Sequence, residues 1–143
     1  MLSEIQVMLL QPVVALVLWT LVIMVWFVSI RLPAMAQAGV KPDDAAHAKN
    51  LSGLLPSKVT RVSDNYSHLN EQPTLFYAVT IAIALMGNAD MTQVNLAWAY
   101  VVLRVIHSLV QCTYNKVMHR FFLFLLGSLS LVAMTLIEVS NWL

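Results

Sequence analysis

The chain has 143 residues, room for one domain, and 59% of them are apolar while only 10% are charged; soluble domains carry roughly 25% charged residues, so the composition selects the membrane class. A net charge of +1 leaves no nucleic-acid footprint and no strong global field. The lone cysteine, Cys112, excludes an intrachain disulfide and a thiolate metal cluster.

The first apolar run, residues 5–31, has no charge before Arg31 and exceeds the roughly 20 residues that cross hydrocarbon. Ala34, Ala36 and Ala38 offer cleavage-like spacing, but the segment before the run has Glu4 and no basic residue, and the run is about twice the length of a signal-peptide core. It reads as a retained membrane helix. Residues 31–58 form the one long polar segment, punctuated by Pro33, Gly39, Pro42, Gly53 and Pro56. They read as a connecting loop with irregular or short helical pieces, of a length more often functional than filler.

A second helix is expected over residues 57–86, with Ser57 as its N-cap after Pro56. Its first half, KVTRVSDNYSHLNEQ, is polar, and Asp64, Ser67, His68 and Glu71 share one face of it. Its second half is apolar. Pro73 between them lacks a donor and clashes with the carbonyl of Leu69, which predicts a kink. Residues 87–90 form a turn, a third helix covers 92–115, and a fourth covers 118–140. In the fourth, Gly127, Ser128, Ser130 and Ala133 permit close helix approach. All eight Lys and Arg lie in the first loop, the foot of the second helix, the third helix or the connection after it. The positive-inside bias then puts both termini on the non-cytoplasmic side. The fold class is an all-α membrane protein, a four-transmembrane-helix bundle.

The third helix carries the chemistry. At about 100° per residue, Tyr100, Arg104, His107, Ser108, Gln111, Tyr114 and Asn115 fall within an arc of roughly 120°. The opposite arc is apolar and includes Cys112, which reads as a small packing residue. Polar groups at membrane depth face a bundle interior or a wet cavity. Arg31, Arg104 and Arg120 converge towards one membrane face, with Asp64, His68 and Glu71 at the same depth. Arg104 and Glu71 are natural partners, because an unpaired Arg in hydrocarbon costs at least about 3 kcal/mol. Two readings compete: interior ion pairs that hold four helices in register, or an anionic ligand gripped by arginines and supported by Tyr and Asn. More polar groups converge than one register pair requires, which favours the ligand. A proton or ion path along the Arg104–His107 stripe is a third reading. His68 and Glu71, three apart, could be half of a helical carboxylate metal site, but no second Glu/His element accompanies them, so no metal is expected. Ser108 adjoins His107 in sequence, yet neighbouring positions point about 100° apart and no Gly-rich elbow is present, which argues against a Ser/His hydrolase.

Three features together resemble the MAPEG family, the membrane-associated proteins of eicosanoid and glutathione metabolism. They are the four-helix layout with its long loop after the first helix, the foot ending HLNEQP, and the stretch RVIHSLVQCTYNKVMHR. Arg104, Val105, His107 and Arg120 match the spacing of the family's third-helix motif. The resemblance covers essentially the whole chain. It implies a homotrimer that binds glutathione between subunits near the cytoplasmic side and presents it to a lipophilic small molecule from the membrane lipids. The activity implied is that of a glutathione transferase or peroxidase in a bacterial inner membrane or the endoplasmic reticulum. By the resemblance, Arg120 stabilises the glutathione thiolate and Asp44 corresponds to a loop aspartate used in one isomerase branch. Arg31, His68, Glu71, Arg104, His107, Gln111 and Tyr114 stand at or near glutathione-contact positions. Asp64 and His68 replace the family's Arg and Asn in the second helix, and Gln111 stands where its third-helix Tyr is expected. A non-catalytic lipid-binding or scaffolding role is the alternative implied by the same resemblance.

Overall fold

The computed structural model describes residues 2–40 and 53–141. Among them the chain is entirely helical: α1 (Glu4–Gln37), α2 (Ser57–Leu69), α3 (Pro73–Met86), α4 (Met91–Cys112) and α5 (Val117–Ser140). Three of these, α1, α4 and α5, are long and apolar enough to cross a membrane. α2 and α3 follow one another as a fourth, bent column. At the bend the backbone changes from four-residue to three-residue bonds, with Asn70 N–H on Ser67 C=O at 2.9 Å and Leu75 N–H on Gln72 C=O at 3.0 Å. Pro73 has no N–H for the Leu69 carbonyl, so the expected kink takes the form of this tight turn at Asn70–Gln72.

Each end of the bundle is defined by local sequence. Ser3 and Asp90 cap α1 and α4, and each forms a reciprocal box with the Gln three residues on, Gln6 and Gln93; this satisfies backbone donors that would otherwise be orphaned at a helix start. Gly87 ends α3 at φ 82°, a left-handed conformation that glycine adopts without steric cost. Gln6 Nε2 donates to the Ala84 carbonyl at 2.7 Å, and Asn88 Nδ2 to Glu138 Oε1 at 2.9 Å. Both ends of the described chain therefore share one end of the bundle with the 87–90 turn. At the opposite end Arg31, Arg61 and Arg120 are each tied to a neighbouring residue.

The first helix runs six residues past Arg31, where the sequence reading ended it. Pro33 lies inside α1, which costs one backbone bond, and the extra turns are held because Ala34 packs with Leu55 and Val59 in a small apolar cluster of their own. Part of the long polar segment is thus helix and not loop. Residues 41–52, with Asp44 and His47, lie outside the described residues.

The main core is built from one narrow stripe per helix at spacings of three and four. Leu9, Pro12, Leu16 and Ile23 come from α1, Phe76, Thr80 and Ile83 from α3, and Gly127, Leu131 and Met134 from α5. The remaining faces of α1 and α5 present exposed Val, Leu and Phe, as a lipid-facing surface should. Half of α4's membrane-length window is buried, against 11% for α1, so α4 is the axial element. Phe76 stacks on Tyr100 with ring centroids 4.4 Å apart, and a Cβ added at Gly127 would sit 3.8 Å from the same tyrosine ring. That is ordinary contact with no further room. Gly127→Ala is expected to leave the melting temperature of the detergent-solubilised protein unchanged, while Gly127→Leu drives α5 off α4 and lowers it by several degrees, about 1–3 kcal/mol of overpacking.

Candidate functional site

The stripe predicted on the third helix faces inwards over most of its length. Tyr100, Arg104, His107, Ser108 and Gln111 are each no more than 3% exposed. Tyr114 is not part of it. α4 ends at Cys112 where the sequence reading continued it to 115, and the closing bond runs from Asn115 N–H to Val110 C=O at 2.8 Å. Asn115 takes φ 54°, a left-handed turn that asparagine tolerates better than most residues. Tyr114 is left exposed, with its hydroxyl 3.0 Å from His119 Nδ1.

The α2 face that meets this stripe differs from the one read in the sequence. Asp64, Ser67 and Glu71 are exposed, whereas Asn65 is fully buried. The inward polar residues are Arg61, Asn65 and His68, continued beyond the helix end by Gln72, at steps of four, three and four. Arg61 Nη1 donates to the carbonyl of Thr113 at 2.7 Å, satisfying an orphan acceptor at the C-terminus of α4, where a cation is also favoured by the helix dipole. Gln72 Nε2 donates to Ser128 Oγ at 2.7 Å. The sequence reading missed Arg61, Asn65 and Gln72, although the spacing of 61, 65, 68 and 72 is the signal of a helix face.

Arg104 does not pair with Glu71. Its Nε donates to the Tyr100 hydroxyl at 3.1 Å and its Nη1 approaches His68 Nδ1 at 3.4 Å. The guanidinium also lies 5.3 Å from the Tyr100 ring centroid and 5.1 Å from that of Phe124. Delocalised charge is held here by ring faces and neutral acceptors, so the burial expense is met without a carboxylate. Arg has only donors, so His68 Nδ1 must accept, and the neutral ring then carries its proton on Nε2. His68 in turn stacks on His107, with centroids 4.9 Å apart and planes 7° from parallel.

The two histidines form the inner wall of a cavity of about 270 Å3, which Val117, Arg120, Phe121 and Phe124 complete. Arg120 Nη1 donates to Asn115 Oδ1 at 2.8 Å, so the left-handed corner after α4 also aims this arginine. Val117 and Phe121 are largely exposed, and the cavity mouth is apolar. The residues combine a cation, two imidazoles and an aromatic wall, a set suited to an anion or polarised sulfur beside an apolar group. No group of three or more metal-ligating side chains occurs among the described residues. Of the other sequence candidates, Arg31 lies on the far side of α2, with Nη1 3.2 Å from Ser63 Oγ and its charge over Phe27 at 5.1 Å. Gln111 is buried behind the cavity wall, Glu71 is exposed at the bend, and Asp44 lies outside the described residues.

Behind that wall seven buried polar atoms have no hydrogen-bond partner of ordinary geometry. They are both amide atoms of Asn65, both ring nitrogens of His107, Ser108 Oγ, Gln111 Oε1 and Arg104 Nη2. Gln111 lies within hydrogen-bonding reach of the His107 ring, and Asn65 within reach of the Cys112 thiol.

Arg61→Ala is expected to free the last turn of α4. Amide exchange at Val110, Gln111 and Cys112 should accelerate and stability should fall by about 1 kcal/mol, the net value of a hydrogen bond at a solvent-exposed helix end; unchanged exchange would show that Arg61 contributes nothing there.

The family model described as "MAPEG family" matches residues 9–139, nearly the entire chain. No curated protein and no solved structure matches it. With three spans of membrane length, an all-helical bundle and a family match over its whole described core, the chain is a membrane protein that belongs to the MAPEG family.

Proposed function

We propose that the protein is an integral membrane glutathione-dependent transferase or peroxidase acting on lipophilic electrophiles or lipid peroxides. The single observation that carries this reading is the cavity lined by His68, His107, Arg120, Phe121 and Phe124. It sets one cation beside an apolar mouth, the pairing that a charged thiol and a lipid-soluble partner require. Arg120 stabilises the thiolate by proximity of positive charge, which lowers the free energy of the ionised sulfur relative to the thiol. His68 presents its Nε2–H as a neutral donor, and the lipophilic substrate enters from the bilayer past Val117 and Phe121. Family membership supports glutathione as the thiol and a homotrimer as the assembly, with glutathione between subunits. The clustering of Arg31, Lys58, Arg61, Lys116 and Arg120 at one end of the bundle supports that end as cytoplasmic and the terminal end as non-cytoplasmic.

A second reading is a non-catalytic lipid-binding or scaffolding protein that kept the fold. It is favoured by one observation: of the residues placed at glutathione-contact positions, only His68 and His107 line the cavity, and Arg31, Glu71, Arg104, Gln111 and Tyr114 do not. Calorimetric titration of the detergent-purified protein with glutathione separates the two. The first reading expects saturable binding; the second expects none. In the glutathione complex, Arg120→Leu is expected to abolish the ultraviolet absorbance of the thiolate while the protein still folds, and an undiminished signal would remove Arg120 from this role.

A further inference from the structure

We propose that the corner between α4 and α5, with the start of α2 beside it, is a docking surface for the headgroup of an anionic phospholipid, held by Lys58, Arg61 and Lys116. The inference does not depend on glutathione, since it concerns the outer surface and not the cavity.

Among the described residues, charge is divided between the two ends of the bundle. Glu4, Asp90 and Glu138 stand at the end that holds the termini, and no Lys or Arg accompanies them. At the opposite end stand Arg31, Lys58, Arg61, Lys116 and Arg120, with Asp64 and Glu71 deeper along α2 and its bend. The three arginines bond only neutral oxygens: Ser63 Oγ, the Thr113 carbonyl and Asn115 Oδ1. None of the five cations forms an ion pair among the described residues. Their charge is therefore left for something outside the chain.

Four of the five gather at one place. Arg61 reaches the Thr113 carbonyl at the end of α4. Lys58 precedes it by three residues, on the same side of α2. Lys116 is the residue that begins α5, and Arg120 reaches back to Asn115 in the corner. Arg31 lies on the other side of α2. Lys58 and Lys116 are exposed and Arg61 is half-buried. Arg120 also lines the cavity, so the headgroup is assigned to the other three.

The depth of this corner selects a lipid. Val117, Met118, Phe121 and Phe122, which follow Lys116 directly, are all exposed, so the lipid-facing surface begins where the cations end. Tyr114 is exposed in the same corner with its hydroxyl 3.0 Å from His119 Nδ1, an amphipathic ring of the kind favoured at the membrane–water boundary. A phosphodiester at that level meets ammonium and guanidinium donors while its chains lie along the apolar start of α5.

The test is made on the protein reconstituted into phosphatidylcholine vesicles that contain a trace of spin-labelled phosphatidylglycerol or spin-labelled phosphatidylcholine. The motionally restricted part of the spin-resonance spectrum counts the lipid held by the protein. Phosphatidylglycerol is expected to be preferred by at least about fivefold, the value of one surface cation against an anionic headgroup, and the preference should shrink as salt is raised. Lys58→Gln combined with Lys116→Gln should remove most of it, whereas Lys58→Arg combined with Lys116→Arg should retain it; unchanged circular dichroism separates loss of the surface from misfolding. Arg31→Gln removes an equal charge on the other side of α2 and should leave the preference within about twofold. Equal restriction of the two lipids in the unmodified protein would overturn the proposal. So would an equal loss in Arg31→Gln and in the double glutamine variant, which would mean a diffuse field and no surface at this corner. Displacement of labelled phosphatidylglycerol by inorganic phosphate or by polyglutamate, at matched ionic strength, would give the corner to a soluble anion or an acidic protein and overturn the lipid assignment.

Discussion

Burial of Arg104 is the constraint around which the bundle is arranged. A guanidinium at membrane depth must find partners within the protein, and none of those it finds is a carboxylate. It is surrounded by the Tyr100 hydroxyl, the His68 ring edge and the faces of Tyr100 and Phe124. Those residues come from α4 itself, α2 and α5, so satisfying one charge fixes the relative rotation of three helices. Phe76 of α3 then stacks on the far side of Tyr100, and α1 closes the remaining side with its stripe of Leu16 and Ile23. Because the charge is not neutralised, the positive potential persists next to the cavity, and Arg120 adds to it.

This arrangement also suits an imidazole, rather than an amide, at position 68. An amide at that position offers both a donor and an acceptor in fixed positions, whereas an imidazole held by Arg104 offers one donor to the cavity and a flat face to His107. The stacked pair makes the inner wall rigid and aromatic. Its cavity side opens on an apolar mouth formed by Val117 and Phe121.

The helical architecture was legible because its signals are local. Apolar length marked the spans, Pro73 marked the bend, and Gly127 marked the close approach of α4 and α5. The inward face of α2 was not legible, since an amphipathic foot has polar residues on more than one arc and only the partner helix decides which arc is enclosed. Asp64 and Glu71 carry the larger charges and drew the reading; Asn65 is neutral and was passed over, yet it is the residue that α4 encloses. The Arg104–Glu71 pairing failed for a related reason. Charge complementarity named a carboxylate, but Glu71 sits at the three-residue turn beside Pro73, where the backbone directs it outwards. Tyr114 was lost because periodicity continues past a helix end that Asn115 terminates.

The length of α1 has a consequence for the membrane itself. Its 34 residues span about 51 Å, against roughly 30 Å of hydrocarbon, and the uncharged part from Ile5 to Ile30 alone is about 39 Å long. A free helix would answer such mismatch by tilting. α1 is not free: Gln6 holds one end to α3, Arg31 holds the other to α2, and the turns beyond it pack on Leu55 and Val59. Its tilt is thus set by the protein's own contacts and not by the bilayer alone.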